Sequence, residues 1–115
     1  MSALSVVNLG VTLTVNDPWE FGTECGTGPF EGIISDVTSD RLLVRLSTPI
    51  LYRGKTLGLV MARPRHAGDT PATVGSRPLD ANLILFPDGG PNTHHIGTEA
   101  TREGVAAVGN IERLA

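Results

Sequence analysis

The chain has 115 residues, of which 40% are hydrophobic and 4% aromatic, and its formal net charge is −3 at pH 7. This length suits one domain over residues 1–115, and the apolar content excludes an intrinsically disordered chain. Because aromatic side chains are few, the core is expected to consist of Val, Leu and Ile. Polar residues between Asn8 and Asn16 keep every apolar stretch well short of the ~20 residues that a membrane-spanning helix needs, so no membrane association is expected.

Charge is distributed unevenly along the chain. Residues 1–40 contain six acidic and no basic side chains, whereas residues 41–77 contain seven basic side chains and only Asp69 as an acid. One interpretation places an acidic and a basic ribbon side by side in a sheet, where facing opposite charges stabilise modestly. The other is a basic face for an anion, since arginine supplies eight of the nine bases and suits bidentate recognition.

The first predicted element is a strand. From Val7 to Val15 every second residue is apolar, the period of a half-buried strand. Residues 16–18, Asn-Asp-Pro, end it because they favour a turn. Residues 22–29 are rich in glycine and proline and predict a loop.

Residues 30–37 and 41–47 predict a β-hairpin joined by the polar residues 38–40. Its apolar face is expected to combine alternate residues of the two strands, namely Ile33, Ser35 and Val37 with Leu42, Val44 and Leu46. The apolar run 42–44 indicates that both faces of the second strand are covered, as inside a barrel.

The second half of the chain predicts further strands. Pro49 is expected to break the pairing, and residues 52–55 are expected to form a turn. A strand should follow from residue 56 to about 63 and end at Pro64, with Leu57, Leu59 and Met61 on one face. Residues 64–78 predict a long irregular connection, 79–86 a strand and 87–92 a turn. The tail is compatible with a short helix over 98–107 or with strand over 105–114, and strand is favoured.

Five or six short strands between Gly/Pro turns predict an all-β domain, a small antiparallel barrel or sandwich of SH3-like or OB-like size, with one short C-terminal helix as an option. A lone cysteine, Cys25, forms no intramolecular disulfide and favours a cytoplasmic location. Small sheets often hide exposed edges by pairing with a second copy, so a homodimer is expected.

Residues 63–69 form the most distinctive polar cluster. Arg63 and Arg65 would project to similar sides of an extended segment and grip a phosphate or carboxylate, beside His66 and Asp69. With Trp19, which fills the core or lines a binding mouth, these four residues are the predicted ligand-binding set. The alternative is that the arginines pair with the acidic first third and that His66 is a solvated loop residue.

No catalytic residue, metal ligand or cofactor is predicted. His94 and His95 are adjacent, so on a strand they point in opposite directions, and nothing in the spacing joins either to His66, Asp69 or Cys25. A nucleophilic Cys25 needs a neighbouring base that the sequence does not supply. The glycine-rich residues 22–28 lack the ending of a phosphate-binding loop.

Three functions are compatible with these features. The favoured one is a non-catalytic binding module that recognises a protein partner or a small anionic ligand through loops at one end of the barrel. A nucleic-acid-binding barrel using residues 41–77 is disfavoured by the negative net charge and by the lack of aromatic side chains among the bases. A small enzyme with a site in the barrel mouth lacks a recognisable catalytic set.

Overall fold

The alternating apolar residues form six antiparallel strands in the computed structural model, which describes residues 7–17, 26–37, 41–66, 78–87 and 105–114. The strands are β1 (Gly10–Asp17), β2 (Phe30–Val37), β3 (Leu42–Tyr52), β4 (Lys55–Pro64), β5 (Leu79–Pro87) and β6 (Val105–Arg113). Each strand pairs with its neighbours in sequence, and β6 returns to pair with β1. The prediction of a small all-β fold is confirmed, as a closed up-and-down barrel in place of the Greek-key order of an OB-fold.

All six strands contribute side chains to one inner core. Val11, Leu13 and Val15 of β1 are buried at every second position, as the period of two predicts. The other strands contribute the buried residues Ile34, Leu42, Val44, Leu46, Leu57, Val60, Ala62, Leu79, Ala81, Leu83, Leu85, Ala107 and Ile111. Because β6 closes the ring, the barrel hides its two potential sheet edges without a second copy.

A second apolar cluster lies on the outer side of the sheet. Leu43 of β3, Met61 of β4 and the β5 residues Ile84 and Phe86 are buried together, with Leu59 packed against them. Leu42 and Val44, on either side of Leu43, belong to the inner core. The prediction that residues 42–44 are covered on both faces is therefore confirmed.

The predicted apolar face of β2 is wrong by one residue. Ile34 is fully buried, whereas Ile33 is 48% exposed and Ser35 is exposed. Gly32 occupies the preceding inward position, where an added Cβ would lie 2.7 Å from the Val44 Cγ1 atom. A register shift between Ile34 and Asp36 then lets Val37 pack on the core. Alternation counted back from Val37 therefore assigns Ile33 and Ser35 to the wrong face of β2.

The pairing of β3 with β4 also departs from the simple pattern. The register shifts between Arg45 and Ile50, which confirms an interruption around Pro49, but β3 then resumes and runs to Tyr52. The predicted turn is confirmed at Arg53 and Gly54, whose φ angles of 52° and 79° suit a two-residue hairpin.

The predicted common face of Leu57, Leu59 and Met61 is wrong. Leu57 lies in the inner core, whereas Leu59 and Met61 belong to the outer cluster. The reason is a register shift against β5 between Leu57 and Leu59, which changes the alternation at Gly58.

The tail forms β6, which confirms the strand favoured for residues 105–113 and excludes the helix alternative for 105–107. The predicted helix start at 98–104, most of the loop at 22–29, most of the connection at 64–78 and the turn after Pro87 lie outside the described residues. Among the described segments there is no helix with the length and apolar character needed to cross a membrane.

Candidate functional site

The barrel wall opens between β2 and β3. Their ladder runs from Val37 opposite Leu42 to Gly32 opposite Leu46 and stops there. Beyond Gly32, β2 pairs only with β1. In β3, residues 47–49 have no ladder partner in either neighbouring strand, and pairing with β4 resumes only at Ile50. The β2–β3 ladder therefore ends in the same segment of β3 in which the register against β4 shifts.

The opening forms a groove of about 370 Å³, which we call the β2–β3 opening. It is lined by Pro29, Phe30, Glu31, Ser47, Thr48, Pro49 and Ile50. Phe30 and Ile50 are partly buried and pack against the inner core, while the other lining residues are exposed. The groove thus combines an apolar floor with a rim of hydroxyl groups and one carboxylate.

A second groove of about 290 Å³ adjoins the opening on the outer surface. It is lined by Asn8, Ile33, Ile34, Ser35, Arg45, Leu46 and Ser47, so Ser47 borders both grooves. Ile33 and Arg45 are direct cross-strand neighbours and both are exposed. Glu31 precedes Ile33 by two positions on the same side of β2. We call Glu31, Ile33 and Arg45 the β2–β3 face.

The predicted 63–69 cluster is described up to His66, and both Arg65 and His66 lie beside the carboxylate of Asp80. The His66 Nε2 atom lies 2.9 Å from the Asp80 Oδ2 atom, and Arg65 Nη1 lies 3.6 Å from the same oxygen. The Arg65 backbone N–H also donates to the Asp80 carbonyl at 3.0 Å. Asp80 therefore faces the side chains that were predicted to bind an anion, and a bound anion would compete with its carboxylate.

Three of the five predicted ligand-binding residues fall in the described part of the chain. Arg65 and His66 lie together at Asp80, while Arg63 lies on β4 opposite Asn82 of β5. Trp19 and Asp69 lie outside the described residues. The sequence reasoning missed Asp80, although it is the second residue of the predicted strand 79–86 and the next acid after Asp69.

The described residues supply hydroxyl and carboxylate groups at the opening but no cluster suited to a metal ion. Within residues 7–17, 26–37, 41–66, 78–87 and 105–114, no group of three or more His, Cys, Asp or Glu side chains is placed to hold a metal ion. Cys25, His94 and His95 lie outside these ranges. The opening offers Glu31 and two hydroxyl groups, from Ser47 and Thr48, beside its apolar floor.

Comparison of the chain with protein-family models, with curated proteins and with solved structures gives no match. Three features of the barrel itself can therefore bear on function. These are the β2–β3 opening, the adjoining β2–β3 face, and the cluster of Arg65, His66 and Asp80.

Proposed function

We propose that the protein is a non-catalytic binding module that receives an extended segment of a protein partner in the β2–β3 opening. The observation that supports this most is the end of the ladder at Gly32 and Leu46, beyond which residues 47–49 have no strand partner among the described residues. A partner strand can add its main-chain hydrogen bonds at such a site, as in other cases of β-strand addition.

The form of the groove supports an extended occupant. Backbone N–H and C=O groups need hydrogen-bond partners, which water supplies in the free protein and a bound strand can supply in the complex. Side chains of an extended segment alternate between two faces. One side chain can therefore enter the groove and contact Phe30 and Ile50 on its floor, while its neighbours face solvent. Main-chain bonds would then give affinity, and the floor would give specificity.

A protein partner has more support than a small anion bound by residues 63–69. Arg65 and His66 already face Asp80, and their side chains are 41% and 62% exposed, so water and Asp80 both weaken their attraction for a ligand. The lone cysteine in the sequence supports a cytoplasmic location for this binding module.

The test is a titration of the isotope-labelled protein with a short capped peptide of alternating Val and Thr, followed by NMR. We expect amide shift changes concentrated at residues 30–31 and 47–50. A matched peptide of alternating Val and Pro should bind much more weakly, because proline donates no ladder hydrogen bond. Equal binding of the two peptides, or no change at millimolar peptide, would contradict the proposal.

Two protein variants locate the peptide. Thr48→Trp places a large side chain in the opening and should abolish the shifts. Thr48 is exposed and lines the opening but not the adjoining outer groove. Glu112→Trp is the control, because Glu112 is exposed on β6, opposite β3 in the ring of six strands. Loss of binding in both variants, or in neither, would place the peptide elsewhere.

A further inference from the structure

Large exposed apolar side chains in the described residues are few, and one lies between opposite charges. Ile33 is 48% exposed, and the others are Leu51 and Leu114. Leu51 lies next to the end of β3 and Leu114 follows β6, whereas Ile33 lies in the middle of β2. On the same outer surface Ile33 has Arg45 directly across the ladder and Glu31 two positions away along β2.

We propose that the β2–β3 face binds the same face of a second copy of this chain, which gives a two-fold symmetric dimer. This goes beyond the proposed function, because Ile33 and Arg45 are paired within the ladder, whereas the opening lies where the ladder ends, and only Glu31 borders both. In a two-fold interface the same patch is used on both copies, so each residue must meet a complementary one.

The β2–β3 face is complementary to itself. With the two-fold axis beside Ile33, the two Ile33 side chains pack together, and Glu31 of each copy lies near Arg45 of the other. Both charged side chains are exposed. Among the interactions of the described residues, none engages either side chain within its own chain. Their charges are therefore available to a partner, and pairing across the axis satisfies both.

The surroundings of the face supply further contact area. A stable interface buries roughly 800 Å² per partner, which is about an eighth of the 6288 Å² accessible surface of the chain. The outer groove of about 290 Å³ borders Ile33 and Arg45 and can receive a side chain of the second copy. Ser35 and Ser47, both exposed, extend the patch at its rim with polar groups.

Charge reversal tests the pairing between copies. We expect the wild type to sediment as a dimer, and Arg45→Glu and Glu31→Arg each to weaken dimerisation at least ten-fold, because each variant places like charges opposite each other. An equimolar mixture of the two variants should form a heterodimer of near wild-type affinity, since every Glu then meets an Arg. An ion pair within one chain does not produce this recovery.

Two further variants complete the experiment. Ile33→Asp should dissociate the dimer while leaving the barrel folded, because Ile33 is exposed in the single chain. Glu112→Arg, at an exposed position of β6, is the charge-matched control and should remain dimeric. A wild type that is monomeric at several hundred micromolar, or a mixture that stays monomeric, would overturn the dimer. Peptide shifts confined to residues 30–31 and 47–50 would then still support the proposed function.

Discussion

Among the glycines of the described residues, Gly109 of β6 leaves the least space for a side chain. It lies opposite Val15 of β1 and Ala81 of β5. A Cβ atom added there would overlap the backbone carbonyl oxygen of Thr14 and lie 2.7 Å from the Leu83 Cδ1 atom. The first of these neighbours is backbone, so relief requires β1 and β6 to move apart where they close the barrel.

The expected cost of Gly109→Ala follows from this contact. Overpacking a core typically costs about 1–3 kcal/mol, and a clash with backbone belongs at the upper end. We therefore expect the free energy of unfolding to fall by about 3 kcal/mol. At roughly 4 °C per kcal/mol for a domain of this size, the melting temperature should fall by about 12 °C.

Urea and thermal unfolding followed by circular dichroism measure this effect. The matched control is Gly58→Ala in β4, where an added Cβ has no atom within 4 Å and the backbone angle is ordinary. Its free energy of unfolding should change by less than about 1 kcal/mol, with a small gain from the stiffer unfolded chain. Equal losses in the two variants would refute the close approach of β6 to β1.

Two other substitution pairs test the packing of β2 and the role of Asp80. Ile34→Ala should lower the free energy of unfolding by about 2–5 kcal/mol, whereas Ile33→Ala should change it by at most about 0.5 kcal/mol in the monomer. Denaturant unfolding at low protein concentration checks this, and the reverse order would mean that β2 presents its other face to the core. For Arg65→Ala, Asp80→Ala and the double variant, a double-mutant cycle should give a coupling of about 0.2–1 kcal/mol, because the pair is partly exposed. A coupling near 3 kcal/mol would show a buried pair instead.

The sequence predicts the parts of the fold in which alternation is uninterrupted. Val11, Leu13 and Val15 repeat with a period of two, and all three are buried. The turn at Arg53 and Gly54 is predicted by residue type, because a two-residue hairpin needs positive φ angles that glycine adopts readily. Local patterns are sufficient in such segments because each residue's environment depends on its immediate neighbours.

Register shifts explain where that reasoning fails. Gly32 faces inward without contributing a side chain, so the sequence favours Ile33 over Ile34 as the core residue. The shift at Gly58 similarly separates Leu57 from Leu59. A bulge depends on the partner strand, which a period along one strand does not reveal.

The candidate site was predicted only in part, for the same reason. Pro49 indicated an interruption, and the β2–β3 opening lies there, but its size depends on how far β3 departs from β2. Arg65 and His66 were identified from the sequence, whereas their partner Asp80 follows them by 14 or more residues and reaches them through the pairing of β4 with β5.

Amide hydrogen exchange along β3, followed by NMR, tests most directly whether the β2–β3 ladder ends where the structure places it. Residues 42–45 pair with strands on both sides, so their amides should exchange slowly, close to the rate of global unfolding. Ser47 and Thr48 have no ladder partner among the described residues and should exchange orders of magnitude faster. Protection of Ser47 and Thr48 equal to that of Val44 would mean that the barrel wall is continuous, and the opening would not exist.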